Sequence, residues 1–179
     1  MVIGIWLNVA AFQALWFASV LGAANGLPWL GPVVLTMWLS VHLNRARGGE
    51  WRLISAAALV GLIGDSALVL AGQIAFPDVA RLGAPTTIWM VALWAGFAAT
   101  LRWSLRWMLG RYALGAALGA IAGPLSYFAG STFGALDLLA GTQSLVFIGL
   151  EWAVAMPLLL RLAESCRSEA RLRMDGVPR

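Results

Sequence analysis

Lysine is absent from this chain, and cysteine and histidine occur once each, at Cys166 and His42. Twelve basic and eight acidic side chains are all the charge that 179 residues carry. Each shortage excludes something. A single cysteine cannot make a disulfide scaffold, and one histidine beside it supplies no ligand set for zinc, haem or an iron–sulfur centre. No metal is therefore expected, and a carboxylate-only site would need more acids than lie in the apolar stretches. GxSxG, P-loop and dinucleotide fingerprints are missing too, so no cofactor is expected. A charged share of 11% is less than half the roughly 25% of an ordinary soluble domain.

What is present is apolar. Hydrophobic residues make up 61% of the chain, with ten Trp and twenty Gly. A soluble fold could not cover that surface with so few charges, and a disordered chain is excluded by the same numbers. A helix crossing the hydrocarbon core needs about 20 mostly apolar residues. Six stretches qualify, at about residues 3–24, 27–43, 53–76, 86–109, 112–133 and 142–162. Turn chemistry separates them: Asn25-Gly26 with Pro28, Arg47-Gly48-Gly49, Pro77-Asp78 through Pro85, and Gly134 through Gly141. The first stretch lacks a positive leader region and is longer than a signal-peptide core, so it reads as a transmembrane helix. The fold class expected is an all-α, polytopic membrane helix bundle of six transmembrane helices. Residues 1–163 form the bundle and 164–179 an amphipathic cytoplasmic tail, in which Glu169 and Arg173 are spaced i,i+4 before Gly176 and Pro178 stop the helix.

Arginine sets the orientation. Arg45, Arg47, Arg52, Arg102, Arg106 and Arg111 fall in the even connections, and Arg161, Arg167, Arg171, Arg173 and Arg179 at the end of the sixth span and in the tail. Only Arg81 falls on the other side, so both termini are expected in the cytoplasm. The basic balance is thereby spent on topology and on anionic headgroups, and no nucleic-acid partner is expected. Trp29 and Trp89 read as anchors at the outer boundary, and Trp6, Trp51, Trp103 and Trp107 at the inner one. Trp16, Trp38, Trp94 and Trp152 lie deeper and must pack on other helices or a ligand.

The fifth stretch carries Gly115, Gly119 and Gly123 at successive i+4 steps, followed by Pro124. Small residues on one face let backbones approach closely, which predicts a tightly buried central helix bent near Pro124. The bend would free carbonyls near Ala120, with Ser126 or Tyr127 placed to satisfy them. A cleft lined by a broken helix is the functional alternative.

Asp65 lies about midway along the third stretch and Glu151 at similar depth in the sixth. Intramembrane acids face the bundle interior or a cavity, and two that meet share a proton. They are candidates for substrate binding or proton relay, with Asn8, Gln13 and Arg102. The bland reading makes Asp65 a neutral acid bonded to Asn8, Gln13 or Ser66, and Asn8 and Gln13 interhelical glue. Arg102 is the best counter-ion for either acid or a lipid phosphate, unless it snorkels to the headgroups as Arg106 does. Catalytic residues remain unknown: His42 falls near the cytoplasmic end, and Cys166 sits in the tail without a nearby base.

The ordered motifs resemble a known family. Asn8, Gln13 and Trp16, then Gly64-Asp65, Trp89, Leu93-Trp94 and Phe97-Ala98 are similar to it, as are Ser104-Leu105, Trp107, Gly119-Ala120 and Gly123-Pro124-Leu125-Ser126-Tyr127. It is a bacterial, six-helix inner-membrane family filed as a domain of unknown function (DUF2878-like). Its members are often encoded near cyclopropane-fatty-acid-synthase-like and flavin oxidoreductase genes. The resemblance implies a lipid or envelope-stress context and a lipid-modifying enzyme partner, but no active site. The function expected is binding, or transport, of a small lipid-like substrate, with Asp65 as polar anchor. An accessory subunit docking a lipid-modifying enzyme and a metal-free membrane enzyme are the alternatives.

Overall fold

The computed structural model describes residues 2–45 and 49–175, with side chains over 4–44 and 49–166. Six helices carry the fold: α1 Val2–Ala24, α2 Leu30–Arg45, α3 Glu50–Leu70, α4 Ile88–Leu101, α5 Tyr112–Thr132 and α6 Thr142–Asp175. Four of them, α1, α3, α5 and α6, are long and apolar enough to cross a membrane, while α2 and α4 are shorter apolar helices. The Arg47-Gly48 turn, the Gly176–Pro178 stop and the Glu169 and Arg173 side chains lie outside the described residues.

Consecutive helices alternate in direction, so α3 runs antiparallel to α4 and to α6, while α2 and α4 pack side by side in the same direction. Glu50 at the start of α3 meets Arg102 just past α4, and Gly49 meets Cys166 near the end of the side-chain-resolved part of α6. That end of the bundle carries Arg52, Arg102, Arg106, Arg111 and Arg161 among the described side chains, and Arg81 lies apart from them. The other is closed by a two-stranded antiparallel ribbon, β1 Ile74–Ala75 with β2 Asp137–Leu138. Ser144 Oγ and the Leu139 N–H both donate to the Gln73 carbonyl there, at 2.6 and 3.0 Å, tying the start of α6 to the connection after α3.

The third stretch stops six residues earlier than its hydropathy suggests. Gly72 takes the left-handed conformation (φ 66°), and the Gln73 N–H donates back to the Leu68 carbonyl at 2.9 Å. Those bonds satisfy carbonyls that a helix end leaves open, and the apolar residues beyond form the ribbon and loop. The fourth stretch is also shorter: helix ends at Leu101, and a 3-10 turn at Arg106–Met108 completes it. The chain turns there because Arg102 and Ser104 are held sideways by Glu50 and Asn8.

The central helix is α4, not α5. Ten of its fourteen residues are buried, Trp89 and Trp94 among them. Small residues (Ala92, Ala95, Gly96, Ala98, Ala99) let neighbours close in all round, which erases the one-sided periodicity that marks a buried face. In α5 only Gly115, Gly119, Gly123, Tyr127 and Gly130 are buried. Its glycine stripe is a one-sided seam against Leu160, Met156 and Trp152 of α6. The helix runs unbroken through Pro124; Gly149 of α6 abuts the Ala120 carbonyl and the Pro124 ring. Ser126 and Tyr127 are engaged elsewhere, with Trp16 and Asp65.

Candidate functional site

Asp65 is fully buried. Its neighbourhood is built by two glycines on α3. A Cβ at Gly61 would overlap the Trp94 indole, and one at Gly64 would overlap the Glu151 carboxylate. Without those side chains, α4 brings Trp94 Nε1 to 2.9 Å from Asp65 Oδ2, and Glu151 lies flat on the residue beside Asp65. Tyr127 OH of α5 donates to Asp65 Oδ1. Glu151 thus lies beside Gly64, next to Asp65 in the chain, within a cluster drawn from α3, α4, α5 and α6.

Their surroundings differ. Each Asp65 oxygen accepts a donor, an arrangement that supports charge. Neither Glu151 oxygen has a hydrogen-bond partner among the described residues, although both are buried. Two such carboxyls cannot both be charged cheaply in a low dielectric, and no hydrogen bond joins them.

Trp94 also stacks on Trp152 of α6, centroids 4.3 Å apart and planes 19° apart. Trp152 in turn meets the Phe97 edge at 5.2 Å, and Phe97 meets Phe12 of α1 at 5.9 Å. Stacked and edge-on pairs contribute about 0.5–1.5 kcal/mol each beyond their buried area. This aromatic ladder floors a hollow between α1 and α5. Its wide part, about 630 Å³, is partly open and is lined by Gln13, Phe17, Leu118, Ala122 and Leu125 among others. A narrower chamber of about 50 Å³ continues past Trp16 and Ser126 towards the ribbon end, lined by Tyr127, Gly130 and Leu136. Trp16 Nε1 donates to Ser126 Oγ at 2.9 Å, strapping α1 to α5 where the two parts join.

Asp65 does not line this hollow; its partners Trp94 and Tyr127 do. It is not bonded to Asn8, Gln13 or Ser66 as the sequence suggests. Asn8 Nδ2 donates to the Ala99 carbonyl at 3.1 Å, and Asn8 Oδ1 accepts from Ser104 Oγ at 2.7 Å, so Asn8 ties α1 to α4. Gln13 is exposed on the hollow's wall.

Arg102 pairs with neither acid of the cluster. Its Nη1 lies 3.0 Å from Glu50 Oε2, while His42 Nε2 lies 3.1 Å from Glu50 Oε1; His42 and Glu50 are buried and Arg102 half-buried. Glu50 was invisible to hydropathy because it follows a glycine pair and looks like a loop residue. His42 is consequently far from Asp65 and Glu151, and the three share no pocket. Trp89, read as an interfacial anchor, is fully buried, its Nε1 donating to the Ala80 carbonyl at 3.0 Å. Cys166 is buried against Gly49 rather than exposed in a tail. Among the described residues, no group of three or more His, Cys, Asp or Glu could hold a metal.

An all-α bundle of apolar helices, with a buried acid cluster behind an apolar hollow, is the class of protein that fold and site define. Within that class the chain belongs to the family described as a protein of unknown function, DUF2878, whose model matches residues 5–158. It matches no curated protein and no solved structure.

Proposed function

We propose that this chain is a six-span protein of a bacterial inner membrane that binds a lipid-like molecule by taking one hydrocarbon chain into the hollow between α1 and α5. The hollow carries this proposal. Along α5 its lining runs from Leu118 to Gly130, about 18 Å at the helical rise. That is close to one leaflet, half of a hydrocarbon core of about 30 Å. Its walls are almost wholly aromatic and aliphatic, and it is partly open, as entry of an acyl chain from a bilayer requires. Exposed Ile63, Ile121, Leu125 and Val154, each more than 60% accessible, give α3, α5 and α6 the outward apolar faces a membrane requires. Alternating helix directions and the clustering of arginine support six spans with both termini and the tail from residue 164 in the cytoplasm.

In this role Asp65 does not anchor the ligand; it positions Trp94 and Tyr127, which wall the blind end. An accessory subunit docking a lipid-modifying enzyme through its arginine-bearing face would also suit a sealed Asp65, but it leaves the hollow unexplained. Convergence of Asp65, Glu151 and His42 on one pocket would favour a metal-free enzyme, and His42 is instead engaged with Glu50.

Filling the hollow tests the proposal. Ala122 is exposed and lines it, whereas the neighbouring Ile121 is exposed and does not. Native mass spectrometry of the purified chain should find co-purified lipid on the wild type and on Ile121→Trp, and lose it on Ala122→Trp. Equal lipid on both variants would refute binding at this hollow.

A further inference from the structure

We propose that the hydrocarbon chain taken into the hollow is oxygenated near its middle: an acyl chain bearing a neutral hydroxyl or keto oxygen, which the Gln13 side-chain amide holds. This deepens the proposed function and rests on the hollow holding a hydrocarbon chain.

Gln13 is the middle residue of α1, and the other exposed positions of that helix are aliphatic or aromatic. Its side chain lines the wide part of the hollow and has no hydrogen-bond partner among the described residues. Asn8 and Trp16 of the same helix are, by contrast, engaged with Ala99, Ser104 and Ser126. A primary amide left bare in an apolar setting is unfavourable, and a matching group on a ligand relieves that cost.

The depth of Gln13 says where on the ligand that group sits. Asn8 meets Ser104 and Tyr112 meets Glu164, so α1 and α5 both run from the end that carries Arg102 towards the ribbon. Trp16 is bonded to Ser126, and three residues back along each helix Gln13 and Gly123 stand at one level. Trp152 packs on Gly123 there, and its Nε1, though buried, also lacks a hydrogen-bond partner among the described residues. Two unpartnered polar groups thus share the middle of the hollow. No acidic or basic side chain lines either part of it, so the group they match is neutral. From Gly123 to Gly130 beside the narrow chamber is about 10 Å at the helical rise, the length of about eight methylenes. A chain that ends in the chamber therefore presents to Gln13 a carbon about eight from its methyl end. A carboxamide donates and accepts, so it pairs with a hydroxyl in either sense and donates to a ketone.

The purified full-length chain, in detergent, is offered equal amounts of stearic acid and 10-hydroxystearic acid, and the complexes are counted by native mass spectrometry. The wild type should retain the hydroxylated acid on the order of fivefold more, as one neutral hydrogen bond confers. Gln13→Leu, at an exposed position, should bind the two acids equally while keeping stearic acid. With its oxygen at the head of the chain, 2-hydroxystearic acid should gain nothing over stearic acid on the wild type. Equal retention by the wild type, a preference that survives Gln13→Leu, or the same gain from the 2-hydroxy isomer overturns the oxygen assignment and leaves the chain site intact. Failure of both acids to bind the wild type, or undiminished binding of both to Ala122→Trp, overturns the chain site itself, and the oxygen assignment with it.

Discussion

Asp65 is the residue around which the interior is arranged, and the arrangement depends on donors reaching it from the next two helices in the chain. Tyr127 and Trp94 are 62 and 29 residues distant in sequence, so no local pattern could reveal them. The acid itself was legible, because a carboxylate in the middle of an apolar stretch has few bland explanations. Its partners were not: a Trp and a Tyr among many aromatics look like ordinary packing. The same limit explains Arg102, whose depth was clear and whose partner, Glu50, was hidden by its loop-like setting. Tyr127→Phe keeps the ring and removes one donor, leaving Asp65 Oδ1 buried without it. The cost should be about 1–3 kcal/mol, read as a lower thermal midpoint in detergent. An unchanged midpoint would mean that the hydroxyl contributes nothing to holding the cluster.

Helix number was the easiest element-scale feature to read, and helix rank was the hardest. Long apolar runs flanked by Gly, Pro and Asn gave six segments, and six helices are found. Which of them is enclosed depends on neighbours. In α5 the glycine stripe advertised a close contact, and the contact with α6 is there, but a single stripe buries only one side. In α4 small residues on every face allow enclosure, a pattern without periodicity. The seam can be tested at Gly119, where an added Cβ would lie 2.6 Å from the Trp152 carbonyl, a backbone atom that cannot swing away. Gly119→Val should force α5 from α6 and lower stability by about 1–3 kcal/mol or more. Gly4→Ala, where the nearest atom would be 4.0 Å away, should be neutral or slightly stabilising. Equal effects at both positions, measured by unfolding in the same detergent, would contradict a tight seam.

At the scale of the molecule, apolar side chains face outward from the helices, all the described arginines but Arg81 lie at one end and a ribbon closes the other. Composition made the first two legible. The ribbon was not, because Ile74-Ala75 and Asp137-Leu138, which pair across more than 60 positions, look like the ends of spans. The proposed orientation predicts that a fluorescent protein fused to the C-terminus will fluoresce in the cytoplasm. A phosphatase that is active only outside the cytoplasm should be active when fused after Gly141. The opposite pair of results would invert the molecule. The central claim, that a hydrocarbon chain enters between α1 and α5, has a more direct test. Crystals would be grown from a lipidic mesophase doped with a phospholipid brominated at its chain terminus. Anomalous density should place bromine in the narrow chamber beside Tyr127, Gly130 and Leu136. Bromine found only on the outer faces of α3 and α6, with α1 and α5 closed against each other, would contradict it.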